Sequence, residues 1–261
     1  MRILRPGQKI LTIGSGLQII SPRGGAAPPF SPTDIAGLMV WIDFSDADTL
    51  FTDAGSTKVS SDGDAVYQAN DKSGENGHAI QSTSGYRPLY KTAIQNGLAA
   101  CLFDGSDDHF IASNAIETTE WTILSVYKST TNGGLYISGR NTSNTYGSGM
   151  RTYATIQCGN NNGVYLIGEV STDAWHVVTG RMKSEDYAIY ANGSSIASGS
   201  GTVGGVYTAY IPAIGGHVGS GAQYGGFVTG YIGEILMYNS SLSDTNRQAV
   251  EAYLNNKWNI Y

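Results

Sequence analysis

The stretch Gly37-Leu38-Met39-Val40-Trp41-Ile42-Asp43-Phe44 sets the fold class of this chain. Its even-numbered positions are all apolar, whereas the odd-numbered positions mix Met39 and Trp41 with the carboxylate of Asp43. Successive side chains of a β-strand point to opposite faces, so this alternation predicts a strand with one face in a core. Similar segments continue to the end of the chain.

Many short β-prone segments follow, separated by turn residues. The pair Asn192-Gly193, between Tyr187–Ala191 and Ser194–Ser198, is typical of a two-residue hairpin turn. The 35 glycines and 17 tyrosines suit tight turns and strands. Many short strands at regular spacing predict an all-β, two-sheet antiparallel sandwich. The other predicted strands are Leu98–Phe103, His109–Ala112, Trp121–Lys128, Gly134–Ser138, Thr152–Cys158, Val164–Gly168, Trp175–Met182, Tyr210–Ile214 and Phe227–Tyr238.

One helix is predicted, over residues 244–257. Ser243 is a favourable N-cap, and Asp244 suits the first turn of a helix. Apolar residues then recur at helical spacing, which predicts a face that packs on the sandwich. They are Val250, Tyr253, Leu254 and Trp258.

The chain begins with a different composition. Gln8–Ile13 and Leu17–Ile20 flank Gly14-Ser15-Gly16, which predicts a β-hairpin arm within residues 1–20. Residues 21–33 hold four of the seven prolines and predict a semi-rigid linker. The sandwich domain is therefore expected over residues 34–261.

Charge also separates the arm from the domain. The net charge is −6, which argues against a nucleic-acid-binding surface over the whole molecule. Arg2, Arg5, Lys9 and Arg23 nevertheless precede the first acidic residue, Asp34. A basic hairpin suits docking into an acidic partner, and Arg2, Arg5 and Lys9 are the candidate contacts. The alternative is that the arm pairs with its own sandwich.

The cysteines, the first residues and the hydropathy of the chain bear on the cellular location of the protein. Cys101 and Cys158 are no disulfide framework, and we expect both to be reduced. The start, Met1-Arg2-Ile3-Leu4-Arg5-Pro6-Gly7, lacks the apolar core of a secretory signal. No run approaches the ~18 apolar residues of a membrane span.

The order of several short motifs resembles the concanavalin A-like, laminin-G-like jelly rolls of bacterial and phage surface proteins. The resemblance covers residues 34–261. It is carried by Gly37–Asp43, Asp71–Ala79, Arg87-Pro88, Phe103–Asp108, Trp175–Val178, Tyr190–Gly193 and Gly230–Asn239 with the following Leu242-Ser243-Asp244.

The resemblance implies a phage virion protein, such as a head or tail decoration or fibre component. Residues 1–33 would attach it to other virion proteins, and the jelly roll would be displayed in many copies, as a homo-oligomer or separately, with host-surface polysaccharide as a partner. A virion protein is assembled in the host cytoplasm and released by lysis, which fits the missing signal. The alternative is a bacterial carbohydrate-binding or adhesion module.

Catalysis is not predicted. Retaining glycosidases need two carboxylates about 5–5.5 Å apart, which on a strand calls for a Glu-x-Asp-x-x-Glu-like cluster. None of the seven glutamates forms that pattern. No catalytic residue is assigned, and a glycan hydrolase is kept as a third alternative.

A structural calcium ion is one hypothesis, although no cofactor is required. The glycine-rich loop 71–78 offers the Asp71 carboxylate, Asn76 and backbone carbonyls, and related jelly rolls imply that Glu234 completes the site. The alternative is that Asp71 and Asn76 cap turns by bonding nearby backbone N–H groups.

Glycan binding is the second hypothesis, because sugars need aromatic faces and hydrogen-bonding groups. Three segments offer that mixture: Asn141–Gly149, Thr202–Tyr210 and Val218–Gly226. The alternative is that these are ordinary polar hairpin tips. The candidate contacts are Tyr146, Tyr207, Tyr210, Gln223 and Tyr224.

Overall fold

The computed structural model describes residues 9–13, 16–20, 29–114, 116–130, 136–140, 146–152, 155–159, 165–201, 207–210, 212–218 and 224–261. The chain divides into two compact units, Met1–Ser31 and Pro32–Tyr261. The described part of the first unit is an antiparallel hairpin of β1 (Lys9–Ile13) and β2 (Gly16–Ile20). No helix in the described ranges is long and apolar enough to cross a bilayer.

The described part of the second unit is a β-sandwich with one α-helix, α1 (Asp244–Trp258). Its described strands are β3 (Leu38–Asp43), β4 (Leu50–Phe51), β5 (Gln68–Ala69), β6 (Ala79–Ile80), β7 (Leu89–Gln95), β8 (Leu98–Asp104), β9 (Phe110–Ala112), β10 (Ile116–Thr118), β11 (Trp121–Ser129), β12 (Tyr136–Arg140), β13 (Tyr146–Thr152), β14 (Thr155–Gly159), β15 (Tyr165–Glu169), β16 (Trp175–Lys183), β17 (Asp186–Ala191), β18 (Ser194–Gly199), β19 (Tyr207–Tyr210), β20 (Ala213–Ile214), β21 (His217–Val218), β22 (Tyr224–Gly225) and β23 (Thr229–Tyr238).

Two large antiparallel sheets form the sandwich, as predicted. The eight-stranded sheet has the order β18-β17-β16-β11-β23-β8-β7, and β3 also pairs with β23. The nine-stranded sheet has the order β15-β14-β13-β12-β20-β9-β6-β5-β4. Two short pairs, β10 with β19 and β21 with β22, complete the described strands. The long strand β23 holds β8 along its first half and β3 along its second.

The alternation in β3 separates two environments. Val40, Ile42 and Phe44 lie in the core between the sheets, and the last two are fully buried. Trp41 and Asp43 lie on the opposite face, where they contact Tyr253 and Lys257 of α1. The mixed face of the predicted strand is therefore the face that the helix covers.

A β-bulge in β23 lets the helix approach the sheet. Val126 of β11 pairs with Glu234 and Tyr127 pairs with Ile232, which leaves Gly233 without a partner in β11. A Cβ atom on Gly233 would lie 2.5 Å from Cη2 of Trp258. Only glycine therefore admits the Trp258 ring at this distance.

Helix α1 confirms the prediction to within one residue at its end. The Ser243 side chain accepts a hydrogen bond from the backbone N–H of Asn246, which is the expected N-cap contact. Val250, Leu254 and Trp258 are fully buried. The helix ends at Trp258, and the C-cap Asn259 adopts a left-handed conformation with φ of 52°.

Some predicted strand boundaries are wrong. The predicted strand Thr152–Cys158 belongs to two antiparallel neighbours, since β13 ends at Thr152 and β14 begins at Thr155. The predicted strand Tyr210–Ile214 is also two strands, β19 and β20, because Pro212 cannot donate a ladder hydrogen bond.

Candidate functional site

A cavity of about 400 Å³ opens on the outer face of the nine-stranded sheet. Ile80 of β6 and Ile111 of β9 are register partners and form part of its lining, whereas their neighbours Ala79 and Phe110 lie in the core. The sheet thus presents two adjacent aliphatic side chains to a ligand. This sheet pocket is lined by Ile80, Gln81, Ser82, Thr83, Tyr86, His109, Ile111, Ala112 and Ser113.

Gln81 anchors the polar wall of the sheet pocket. It is 5% exposed, and its Oε1 accepts a hydrogen bond of 3.0 Å from the backbone N–H of Thr83. Its Nε2 donates to the backbone oxygen of His109 over 2.9 Å and lies 3.2 Å from the Nε2 of the His109 ring. Both ends of the amide are therefore fixed, which joins the loop after β6 to the residue before β9.

These contacts also set the protonation of His109. Its Nδ1 lies 2.7 Å from the backbone oxygen of Asp107, and a carbonyl oxygen only accepts, so Nδ1 carries the proton. The Nε2 then accepts from the Gln81 amide. Burial lowers the pKa of His109 and outweighs the opposing effect of Asp107. The ring is consequently neutral at neutral pH.

Tyr86 supplies the aromatic surface of the sheet pocket. It is 40% exposed, and its ring lies 5.9 Å from the His109 ring at an angle of 35°. Its backbone is held on both sides, because its N–H donates to Thr83 and its carbonyl accepts from the N–H of His109. The ring is thus an exposed apolar face on a fixed backbone.

Arg87 braces the rim. Its Nε donates to the backbone oxygen of Gln81 over 3.1 Å, and its Nη2 donates to that of Ser82 over 2.9 Å. Its guanidinium lies 4.8 Å above the ring of Tyr67. Arg87 therefore orders the loop that carries Gln81 and Ser82, and it is not among the residues that line the cavity.

An acidic loop precedes His109. One carboxylate oxygen from each of Asp104, Asp107 and Asp108 lies within 4.8 Å of the others, so the three could together contact one cation. Burial, with added repulsion from Asp104 and Asp107, raises the pKa of Asp108 to about 6. A Cβ atom on Gly105, whose φ is 81°, would collide with the hydroxyl of Thr229, so the loop requires glycine there.

The residues predicted to hold calcium occupy separate environments. The Asp71 Oδ1 accepts from the backbone N–H groups of Trp41 and Ser73, and its Oδ2 accepts from the Ser73 hydroxyl and the Gly77 N–H. Asn76 is exposed and adopts a left-handed turn with φ of 59°. Asp71 therefore organises the loop against β3, and calcium binding at this loop stays a prediction.

Glu234 lies under α1 and is fully buried. Its Oε1 accepts from the Trp41 indole over 2.7 Å and from the Tyr253 hydroxyl over 3.1 Å. Its Oε2 accepts from Lys257 over 2.7 Å and from the Trp258 indole over 2.8 Å. Four protein donors thus surround the carboxylate that was expected to complete a calcium site.

Asp43 is the cross-strand partner of Glu234. Lys257 bridges the two carboxylates, since its Nζ lies 2.8 Å from Asp43 and 2.7 Å from Glu234. Burial alone would raise the pKa of Asp43, but Lys257 and Lys72 hold it below its ordinary value. Burial, together with the charge of Asp43, raises the pKa of Glu234. Two carboxylates on neighbouring strands are therefore neutralised by lysine and covered by the helix.

Four of the five predicted glycan contacts lie on strands. Tyr146 begins β13, Tyr207 and Tyr210 bound β19, and Tyr224 begins β22, which agrees with the preference of tyrosine for strands. Their side chains, and Gln223 altogether, lie outside the described residues. Arg2 and Arg5 also lie outside them, and Lys9 is described only as the first residue of β1.

Sequence reasoning missed the sheet pocket. Gln81 and His109 are 28 residues apart, and only the pairing of β6 with β9 brings their segments together. The signal that could have located it is the position of two aromatic rings beside motifs of the resemblance. Tyr86 directly precedes Arg87-Pro88, and His109 directly follows the Asp104–Asp108 loop.

The comparisons with known proteins agree on the fold. No protein-family model and no curated protein sequence matches this chain. A GH54 α-L-arabinofuranosidase soaked with a cyclic sulfate inhibitor is similar in structure, with a TM-score of 0.61, 14% identity, and coverage of 85% of this chain and 64% of the enzyme. This chain therefore spans less than two thirds of that enzyme.

A second similar structure is domain 4 of a GH43 extracellular arabinanase from Geobacillus stearothermophilus, in complex with arabinotriose. Its TM-score is 0.52 at 14% identity, and the match covers 80% of this chain and 95% of that domain. These likenesses, with the two-sheet topology, show a concanavalin A-like jelly roll.

Proposed function

We propose that this chain is a non-catalytic glycan-binding protein and that the sheet pocket is its binding site. The observation that carries the proposal is the composition of the lining: the exposed Tyr86 ring and the Ile80–Ile111 pair face the same cavity as the hydroxyls of Ser82 and Thr83. Saccharides present C–H faces beside hydroxyl groups, so they need this mixture of surfaces.

The chemistry of the lining favours binding over hydrolysis. A glycosidase needs a pair of carboxyl groups beside the scissile bond, and none of the described residues that line the sheet pocket carries a carboxyl group. Asp43 and Glu234 are neighbours elsewhere, but Lys257 bonds both and α1 covers them. A substrate would have to displace the helix to reach them.

The similar structures also support a saccharide ligand. The arabinanase domain has the same sandwich over 95% of its length and is described as a complex with arabinotriose. A jelly roll is thus able to hold a short oligosaccharide. The identity of 14% carries no residue of that site over to this chain.

The setting proposed for this binding protein is the surface of a virion. The supporting features are the resemblance of the motifs to phage surface jelly rolls and the basic arm before the domain. Display in many copies would turn weak single contacts into firm attachment to a host polysaccharide. A bacterial carbohydrate-binding module is the second candidate, favoured by the arabinanase likeness.

The experiment is binding of the full chain to a panel of polysaccharides, with Tyr86→Ala as the test variant. Removal of the ring should weaken binding by about tenfold or more, since one aromatic stacking face contributes on the order of 1–3 kcal/mol. Tyr261→Ala is the matched control, because Tyr261 is 51% exposed and packs beside the hairpin glycine Gly193 in the other sheet.

The outcomes separate the pocket from the earlier candidates. Binding that Tyr86→Ala leaves intact, but Tyr146→Ala, Tyr207→Ala or Tyr224→Ala abolishes, would move the site to those strands. A folded chain that binds no polysaccharide would overturn the proposal. Retention of particle binding after deletion of residues 1–33 would contradict attachment through the arm.

A further inference from the structure

The sheet pocket is lined by uncharged side chains. The nine lining residues that the structure describes contain no Asp, Glu, Lys or Arg, and the imidazole among them is that of His109. Hydrogen bonds to Asp107 and Gln81 hold that ring as the neutral form with the proton on Nδ1. The described lining thus offers aliphatic, aromatic, amide and hydroxyl groups and no counter-charge for an ionic ligand.

Arg87 is the positively charged residue nearest to the sheet pocket in the sequence, and its guanidinium is already hydrogen-bonded to the backbone. Arg87 directs its Nε and Nη2 to the backbone oxygens of Gln81 and Ser82, and its guanidinium packs on Tyr67. Turning it toward a ligand would break both bonds and release the loop that forms the rim. Arg87 therefore stabilises the loop at the rim and is not positioned to bind an anionic ligand.

An acidic loop directly precedes the pocket residue His109. Asp107 and Asp104 lie two and five residues before His109, and the carbonyl of Asp107 contacts the His109 ring directly. An anionic sugar would lose hydration on entering the cavity, and no Lys or Arg among the described lining residues would offset that cost.

The geometry points to a site for neutral saccharides that excludes acidic ones. This inference rests on the proposed glycan-binding function and specifies its ligand. The Ile80–Ile111 pair and the Tyr86 ring contact the C–H face of a sugar, and the hydroxyls of Ser82, Thr83 and Ser113 bond its hydroxyl groups. Uronic acids and sialic acids carry a carboxylate for which the described lining provides no positively charged side chain.

The experiment compares neutral polymers with acidic ones at 150 mM salt, the concentration at which long-range charge effects are screened to about 8 Å. The neutral probes are arabinan, galactan, mannan and β-glucan. The acidic probes are polygalacturonate, alginate and polysialic acid. The full chain is expected to bind at least one neutral polymer about tenfold or more tightly than any acidic one.

Position 82 provides a matched pair of variants, because the Ser82 side chain is exposed at the rim. Ser82→Lys introduces a cation and should create measurable binding of an acidic polymer. Ser82→Gln adds a neutral side chain of similar reach and should not. Each variant is first checked for an unchanged unfolding midpoint.

The two hypotheses fail in different ways. Binding of an acidic polymer by the unmodified chain, weakened by Tyr86→Ala, would overturn the neutral specificity and leave glycan binding in place. Acidic binding by both position-82 variants would also contradict it. A folded chain that binds neither class of polymer would overturn the glycan-binding function itself.

Discussion

The indole Nε1 of Trp258 donates a buried hydrogen bond of 2.8 Å to the Oε2 of Glu234. This bond joins the last turn of α1 to the bulge of β23, at the centre of the eight-stranded sheet. The same carboxylate accepts from Trp41 of β3, so one side chain holds three segments that are distant in sequence. The position of the helix depends on this buried group.

Glu234→Gln should destabilise the protein strongly. The replacement keeps the volume but removes a charge that Lys257 neutralises, and it places an NH₂ group among donors. Breaking a buried ion pair by changing one partner costs about 3–5 kcal/mol. Urea unfolding, followed by tryptophan fluorescence, measures this loss in the free energy of unfolding.

Glu75→Gln is the control for that substitution, because Glu75 is exposed. We expect a change within about 0.5 kcal/mol there. A similarly small change for Glu234→Gln would show that the carboxylate does not hold the helix.

Gly233→Ala should also destabilise the protein, and for a steric reason. The added Cβ would lie 2.5 Å from the Trp258 ring, so the helix or the bulge has to shift. Overpacking of this kind costs about 1–3 kcal/mol. Gly85→Ala is the matched control, since a Cβ there meets nothing within 4 Å. Equal unfolding midpoints for the two variants would contradict the close approach of Trp258.

The sandwich could be predicted because its signals are local. Alternation from Leu38 marks β3, Asn192-Gly193 marks the β17–β18 turn, and Ser243 marks the start of α1. Each depends on a few adjacent residues, and a resemblance in motif order joined them into one fold. The single strand predicted over Thr152–Cys158 is wrong because the sequence between β13 and β14 contains no Gly, Pro, Asn or Asp to signal a break.

The site could not be predicted in the same way. The sheet pocket exists because β6 pairs with β9, a contact that no short pattern encodes. Glu234 was noticed as a carboxylate on the closing strand, but its partner Lys257 lies 23 residues later on a helix face. A carboxylate in a sequence predicts a cation nearby and leaves open whether that cation is calcium or lysine.

Asp108 should make the protein less stable as the pH rises from about 4 to about 6. Burial, with repulsion from Asp104 and Asp107, raises its pKa to about 6, against 3.8 for the ordinary value. Between these values the folded state keeps a proton that the unfolded state has released, so the free energy of unfolding falls with increasing pH. Asp108→Asn keeps the acceptor for the Asp104 N–H and removes this titration. Its stability relative to the unmodified chain should increase over that interval in urea unfolding.

Asp53→Asn is the comparison, because Asp53 should change the free energy of unfolding with pH in the opposite direction. Hydrogen bonds from Thr57 and then Ser56 lower the pKa of Asp53. Its contribution to stability is present above the ordinary value of 3.8 and is lost as the pH falls. The difference between this variant and the unmodified chain should therefore shrink on acidification. Parallel pH profiles for both variants would contradict the assignment of Asp108.

Gln81→Glu should change both the protonation of His109 and the binding of a saccharide. In the unmodified chain the Gln81 amide donates to the ring Nε2, and burial lowers the pKa of His109, so we expect ¹⁵N spectra of the neutral form with the proton on Nδ1. A carboxylate in place of the amide favours the protonated ring, and the pKa of His109 should rise. It also brings a negative charge into an uncharged pocket, which should weaken binding of a neutral polymer.

Ser113→Ala is the control, because it changes the lining without touching His109 and should leave the pKa of His109 unaltered. Spectra with the proton on Nε2 in the unmodified chain would show that the Gln81 amide points the other way.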